Sequence, residues 1–458
     1  MSKFKPSVFA RPVSPATAPQ IPPQNHEPAP AGAVPFPRVV TMGNPLHRLG
    51  FILVLLYVAV LAGYLNELMF LVTKTSFYAT LVLGPAAMLA ALLSGRLRVV
   101  LRNRIAFFLA GLVGCYTLAT PLSAVKTSSL HLLLTVISAN YGVFIMLAAL
   151  AISLTHCRRL MYVIALSGTL DLLAAPKYGE IKNGRLAFSA GSLANANDLA
   201  AHLLSILPFC LFIAFEKGRS SILRLLMLAI CGGVLYASLL TGSRSAILSI
   251  AVIFLFAFWK ASSGQRLLLG ILFLCCVPLA PVLAPQAWQR VLTIFSNRPA
   301  FYSEDAASAV ESKEQRMHLL MRSIEVTLEH PVLGAGPGEF MDVEARLSNE
   351  EGMRASWQVT HNTYTQVSSE TGIPALICFL GVLFSSVSLN LQLHGRARKK
   401  PELQGIALMS FCLLMSMVSI MVSMTFASWA YTYYMPMSAG LTVALWNASQ
   451  ESLRQAGV

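Results

Sequence analysis

Gln404–Met424 reads QGIALMSFCLLMSMVSIMVSM, twenty-one residues without one charged side chain. A run of that length matches the roughly 20 apolar residues an α-helix needs to cross the hydrocarbon core of a bilayer. Comparable runs lie at 49–65, 75–93, 105–120, 129–154, 160–175, 199–215, 222–240, 245–259, 267–284, 363–391 and 432–447. With 404–424 they make twelve, so the chain reads as an all-α polytopic membrane protein of about twelve transmembrane helices. Across its 458 residues, 55% are apolar and 12% charged, and mean hydropathy is +0.64. Those values exclude a soluble globule.

The charges orient the helices. Placing the N-terminus in the cytoplasm puts a basic group in every inside loop: Arg96, Arg98, Arg102 and Arg104; Arg158 and Arg159; Lys217, Arg219 and Arg224; Lys260 and Arg266; Arg396, Arg398, Lys399 and Lys400. The inside then holds 21 Lys and Arg against 4 acidic residues, and the outside 13 against 16. The positive-inside rule is satisfied with both ends cytoplasmic. A net charge of +14 therefore speaks of topology and not of nucleic acid. Residues 1–47, rich in Pro and Ala and lacking the apolar core of a signal peptide, form a disordered cytoplasmic tail. Residues 48–284 carry helices 1–9, 285–361 form a large periplasmic loop between spans 9 and 10, 362–447 carry helices 10–12, and 448–458 are a second cytoplasmic tail. The eight cysteines show no metal-ligand spacing and read as small core residues.

The 285–361 loop holds 11 of the 20 acidic residues, which marks it as folded and partly helical. Within it, Glu314–His330 reads as an amphipathic helix closed by Pro331, with Met317, Leu320, Met321, Ile324 and Leu328 as an apolar stripe against the bundle or in the membrane interface.

Four polar clusters fall at the outer helix ends. The first runs from Gly184-Arg185 to Asn195-Ala196-Asn197-Asp198 and feeds into a helix, where Arg185 and the free backbone donors suit an anion. Capping by Asn197 or Asp198 explains the same polar run equally well, and His202 lies one turn below Asp198, placed to pair with it. The second, Thr241-Gly242-Ser243-Arg244-Ser245, sets an arginine at an outer mouth, against the charge rule; a guanidinium there can grip a diphosphate bidentately, or simply snorkel. The third, Gly334-Ala335-Gly336-Pro337-Gly338-Glu339-Phe340, permits a backbone nest, although a plain turn explains it as well. The fourth is His361-Asn362-Thr363-Tyr364-Thr365, opening a helix that contains Glu370, Gly372 and Pro374. A surface histidine titrates near working pH and can take a proton from a hydroxyl. Asn362 can orient the ring or a substrate, and Glu370, lying deeper, needs a partner. Gly372 and Pro374 predict a helix break that frees carbonyls.

In this order and topology, the clusters resemble the O-antigen ligase and O-antigen polymerase superfamily of bacterial membrane glycosyltransferases. The resemblance runs from about Arg185 to Pro374 and rests on Asn195-Ala196-Asn197, on Ser243-Arg244, on His330-Pro331-Val332-Leu333-Gly334-Ala335-Gly336-Pro337-Gly338, and on His361-Asn362 followed after nine residues by Gly372. It implies an inner-membrane enzyme with its active face in the periplasm, taking a glycan from undecaprenyl diphosphate by a metal-independent, inverting displacement. It implies no cofactor. The partners implied are that lipid-linked donor, a glycan or lipid A-core acceptor, membrane lipid and other polysaccharide export components. In that chemistry Arg185 and Arg244, with Arg316 or Arg322 from the loop, hold the diphosphate, His361 is the base, and Asn197, Asn362 and Glu370 support them.

Polymerase and ligase both fit, and Ala375, a departure from the ligase pattern, tilts the reading towards a polymerase. The reading from another class is a lipid-linked oligosaccharide flippase or other transporter. Such proteins usually show internal repeats and mid-membrane polar groups, whereas here the polar groups gather at the outer ends and mid-span Asn140 is an isolated exception.

Overall fold

The computed structural model describes residues 45–182, 184–261, 304–352 and 357–458, with scattered helical positions between 263 and 288. The expected tail up to residue 44, most of the expected ninth span at 267–284, and the start of the 285–361 segment lie outside the described residues.

Among the described residues, eight helices are long and apolar enough to cross a membrane: Pro45–Ala62, Arg104–Leu122, Lys126–Leu150, Leu154–Tyr178, Ala196–Phe215, Ser221–Leu240, Thr363–Ala397 and Pro401–Met424. Ala79–Leu93 and Arg244–Lys260 are shorter helices over two further apolar runs. The short run at 160–175 lies within a 25-residue helix, because Ser153 caps its start by accepting from the His156 N–H at 3.2 Å and the polar turn behind it stays helical. The run at 432–447 belongs to Tyr434–Gln455, a helix whose buried face includes Met435, Met437 and Leu441.

Ala196–Phe215 forms the centre, and we call it the core helix. It packs against Leu154–Tyr178, Ser221–Leu240, Arg244–Lys260 and Gln404–Met424. Ser221–Leu240 lies outside it and turns Ile222 and Leu225 outward, 82% and 71% exposed. An outward apolar face suits a chain whose solvent is lipid.

The Thr363–Ala397 helix is broken at Gly372, where φ 87° and ψ 170° leave the helical region. The segment 331–338 docks into that break. Ala335 N donates to Ser369 O and Gly336 N to Glu370 O, both at 2.9 Å, while Ile373 N donates to Pro331 O at 2.8 Å. Glycine is required where the two backbones meet: a Cβ on Gly372 would lie 2.2 Å from Val332 O, and one on Gly334 2.3 Å from Glu370 C. The expected break is present, and its carbonyls bind the protein's own glycine loop.

The large outer segment differs from expectation in detail. Its first described helix spans Glu304–Glu329 and so starts ten residues before Glu314. Its buried face is Leu319, Ser323, Val326 and Thr327, which packs on Thr363–Ala397, with the Thr327 and Ser368 hydroxyls 2.8 Å apart. Of the expected apolar stripe, Met317, Met321, Ile324 and Leu328 are exposed and Leu320 is half-buried, so of its two expected settings, bundle or membrane interface, the stripe does not take the bundle. Small residues at helical spacing allow the close approach to the bundle, and the bulkier stripe is displaced outward. A second helix, Phe340–Glu350, follows the glycine loop.

Candidate active site

Three pieces of chain build the first half of the site. Gly179–Lys182 and Arg185–Phe188 form an antiparallel hairpin, with Lys182 opposite Arg185, which delivers the Arg185 side chain to the start of the core helix. Asn195 caps that helix, its side chain accepting from the Asn197 N–H at 2.9 Å, so neither Asn197 nor Asp198 is needed for capping. The Asn197 side-chain Oδ1 instead accepts from Arg185 Nη2 and from the Ser243 hydroxyl, each at 2.8 Å. Arg185 Nε donates to Thr241 O at 2.9 Å. The asparagine turn and the Ser-Arg turn are therefore one hydrogen-bonded corner, from which half-buried Arg244 opens the next helix.

His361 belongs to the second half. It holds a left-handed backbone (φ 51°), sparsely populated for a residue with a Cβ, and its N–H donates to the Ser428 hydroxyl at 2.9 Å. Asn362 caps the broken helix, its side-chain oxygen accepting from Tyr364 N and Thr365 N. Burial, reinforced by the charge of Arg316, lowers the His361 pKa to about 4. The imidazole is therefore neutral near pH 7 and can accept a proton. By capping the helix, Asn362 fixes the backbone immediately after His361.

Glu370 lies behind the site. Only 3% exposed, its carboxylate accepts from Gly338 N at 2.9 Å and from the Tyr431 hydroxyl. It thus pins the glycine loop to the broken helix. On the other side of that loop, Ser129 donates to Pro337 O at 2.7 Å.

The two halves are stapled by Thr425–Tyr434 (TFASWAYTYY). Trp429 N donates to the Thr363 hydroxyl at 3.0 Å, and its indole Nε1–H donates to Asp198 at 2.9 Å. His202, expected to pair with Asp198, instead pairs with Asp171 at 2.9 Å and with the Tyr434 hydroxyl at 2.9 Å. Asn140, expected to bond between helices, instead donates to Tyr431 O at 2.8 Å in the 425–434 junction. The charge of Arg316, on the outer segment, acts on both Asp198 and His361. Trp429, Ser428 and Tyr431 are the residues that sequence reasoning passed over. Their signal is an aromatic-rich junction between two apolar runs.

Arg322 is engaged elsewhere. Only 6% exposed, its guanidinium bonds both oxygens of Glu351 at 2.6 Å and lies 3.2 Å from Glu344 and 2.8 Å from Glu325. Glu351, and after it Glu325, raise its pKa further, and the Glu344 and Glu351 contacts tie the two outer helices together. Among the described residues, no group of three or more His, Cys, Asp or Glu is arranged to hold a metal ion.

Residues 226–380 match a family model described as O-antigen ligase. The matched segment contains Arg244, Arg316, Arg322, His361, Asn362 and Glu370 and begins after Arg185 and Asn197. No curated protein matches the chain. The match supports the superfamily of O-antigen ligases and polymerases. That match covers about a third of the chain; together with the apolar helices it supports a multi-pass membrane protein with a ligase- or polymerase-type role in polysaccharide synthesis.

Proposed function

We propose that this protein is a glycosyltransferase of the bacterial inner membrane, working on its periplasmic face with a glycan donor linked to undecaprenyl diphosphate. The observation that carries the reading is the single corner built by Arg185, Asn197 and Ser243 beside Arg244, tied through Trp429, which bonds Asp198 and Thr363, to the helix start that follows a neutral His361. In the reaction, an acceptor hydroxyl gives its proton to His361, and its oxygen attacks the anomeric carbon opposite the leaving group. The bond from that carbon to the diphosphate oxygen breaks, and the lipid diphosphate leaves with the electron pair. Attack from the opposite face inverts the anomeric configuration. Arg185, Arg244 and Arg316 stabilise the departing diphosphate, three guanidinium groups supplying the positive charge the step needs without a metal. Asn197 orients Arg185, Asn362 shapes the backbone at His361, and Glu370 holds the wall behind it. We assign Arg322 to bracing the outer segment, because its donors are held by carboxylates that a diphosphate would have to displace.

The topology belongs to the same proposal: twelve spans, both tails (1–47 and 448–458) cytoplasmic, and 285–361 periplasmic between helices 48–284 and 362–447. It is supported by basic residues in every inside loop and by the gathering of the site at the opposite ends of the helices.

The test is a gel of surface polysaccharide from a deletion strain with and without the wild-type gene. Loss of long polymer with single lipid-linked repeats left behind identifies a polymerase. Finished polymer stranded on its carrier identifies a ligase. Normal amounts of polymer on its final acceptor in the deletion strain would overturn the proposal, and lipid-linked repeats confined to the cytoplasmic leaflet would replace it with a flippase.

A further inference from the structure

Phe340–Glu350 presents two faces to different surroundings. Its closed face carries Phe340, Glu344 and Ser348, all buried. Glu344 lies 3.2 Å from His318 Nε2 and 3.2 Å from Arg322 Nε, and the Arg322–Glu351 pair closes the far end. The helix is therefore a braced platform. Its open face carries Asp342, Arg346, Asn349 and Glu350, at the spacing of successive turns. With Trp357 these residues line a cleft of about 430 Å³.

Trp357 is 61% exposed and has φ 44°. An indole left open beside carboxylates, an amide and a guanidinium is a combination suited to sugar rings. A pyranose has apolar C–H faces and a rim of hydroxyls. The electron-rich face of an indole takes the C–H face, while Asp342 and Glu350 accept from hydroxyls, Arg346 donates, and Asn349 does both. The cleft is of a size to hold such a group with a few polar contacts fixing its orientation. Two carboxylates against one guanidinium, with Arg346 only 3.9 Å from Glu350, disfavour a diphosphate here.

Trp357 precedes His361 by four residues, so the two Cα atoms are at most about 14 Å apart. A glycan whose hydroxyl reaches His361 has its next rings within range of Trp357. We propose that the cleft formed by Asp342, Arg346, Asn349, Glu350 and Trp357 is an acceptor-glycan subsite that stacks an uncharged pyranose on Trp357. This rests on the transferase reading above, since it names the acceptor side of the same site.

The test uses the full chain in lipid nanodiscs and, as probe, the strain's own surface polysaccharide released from its carrier by mild acid. Saturation-transfer NMR should detect binding to the wild type, about tenfold weaker binding to Trp357→Ala, and near-wild-type binding to Trp357→Phe, which keeps an aromatic face. In a transfer assay with lipid-linked donor, Trp357→Ala should raise KM for the acceptor and leave KM for the donor and kcat unchanged. Because Trp357 is largely exposed, its truncation opens no core cavity. Wild-type binding by Trp357→Ala would overturn the subsite, and a raised donor KM in its place would overturn its assignment to the acceptor. Binding that depends on Trp357 in a protein that transfers nothing would leave the subsite standing while the transferase reading fell.

Discussion

The glycine loop at 334–338 and the asparagine turn at 195–198 carry the same kind of sequence signal, backbone donors beside charged groups, and the fold uses them in opposite ways. In the glycine loop the amides are consumed internally: Ala335, Gly336 and Gly338 donate to Ser369 O, Glu370 O and the Glu370 carboxylate. The asparagine turn divides the labour. In the glycine loop the backbone donors are spent on a seam that holds two segments together; in the asparagine turn Asn195 takes the capping role and the Asn197 side chain gathers Arg185 and Ser243.

Substitutions should separate the two regions sharply. The largest effect is expected in the seam. Gly372→Ala forces a methyl to within 2.2 Å of Val332 O and a side chain into a left-handed backbone. It should cost about 2–5 kcal/mol of stability and lower the melting temperature of the detergent-solubilised protein, with activity lost only as a consequence. An unchanged melt would show that the seam is not load-carrying in this way. In the corner, Arg244→Ala should leave the melt intact and weaken donor use by about ten- to a hundredfold in a transfer assay, the range for a charge-assisted hydrogen bond. Arg244→Lys should rescue only part of that loss, and full rescue would reduce the requirement to charge alone. The smallest effect is expected for Asn197→Ala. With Asn195 still capping, stability should barely move, while Arg185 loses its anchor and transfer falls by about tenfold or less. A large drop in melting temperature would instead make Asn197 part of the scaffold.

Much of this was legible in the sequence. Apolar runs predicted the long helices because a bilayer imposes length and excludes charge, as in Gln404–Met424. Gly372 and Pro374 predicted the helix break, because each is unsuited to a helix interior. What occupies the break was not legible: that 331–338 docks there depends on contacts across about forty residues of sequence, which no local pattern encodes. Which face of Glu304–Glu329 packs was not legible for a related reason. Its Met and Leu stripe is more apolar than the Leu319, Ser323, Val326 and Thr327 face that meets the bundle, so hydrophobicity alone does not choose between bundle and membrane interface. The same limit applies to Arg322, which is indistinguishable from Arg316 in sequence until Glu344 and Glu351 are brought beside it. Trp429 was passed over because its partner, Asp198, is more than two hundred residues away.

The central claim is that a neutral His361 takes the acceptor's proton, and the most direct measurement is the transfer rate against pH for purified wild type and His361→Ala. Because burial and Arg316 lower the His361 pKa to about 4, the base form persists as pH falls and is lost only through about 4, well below the ordinary imidazole value of about 6.5. The wild type should therefore keep its rate down to about pH 5 and lose it near pH 4, and His361→Ala should be slower by about 10²–10⁴-fold without that acid limb. A mutant within a few-fold of wild type, or one that shares the same limb, would contradict the account.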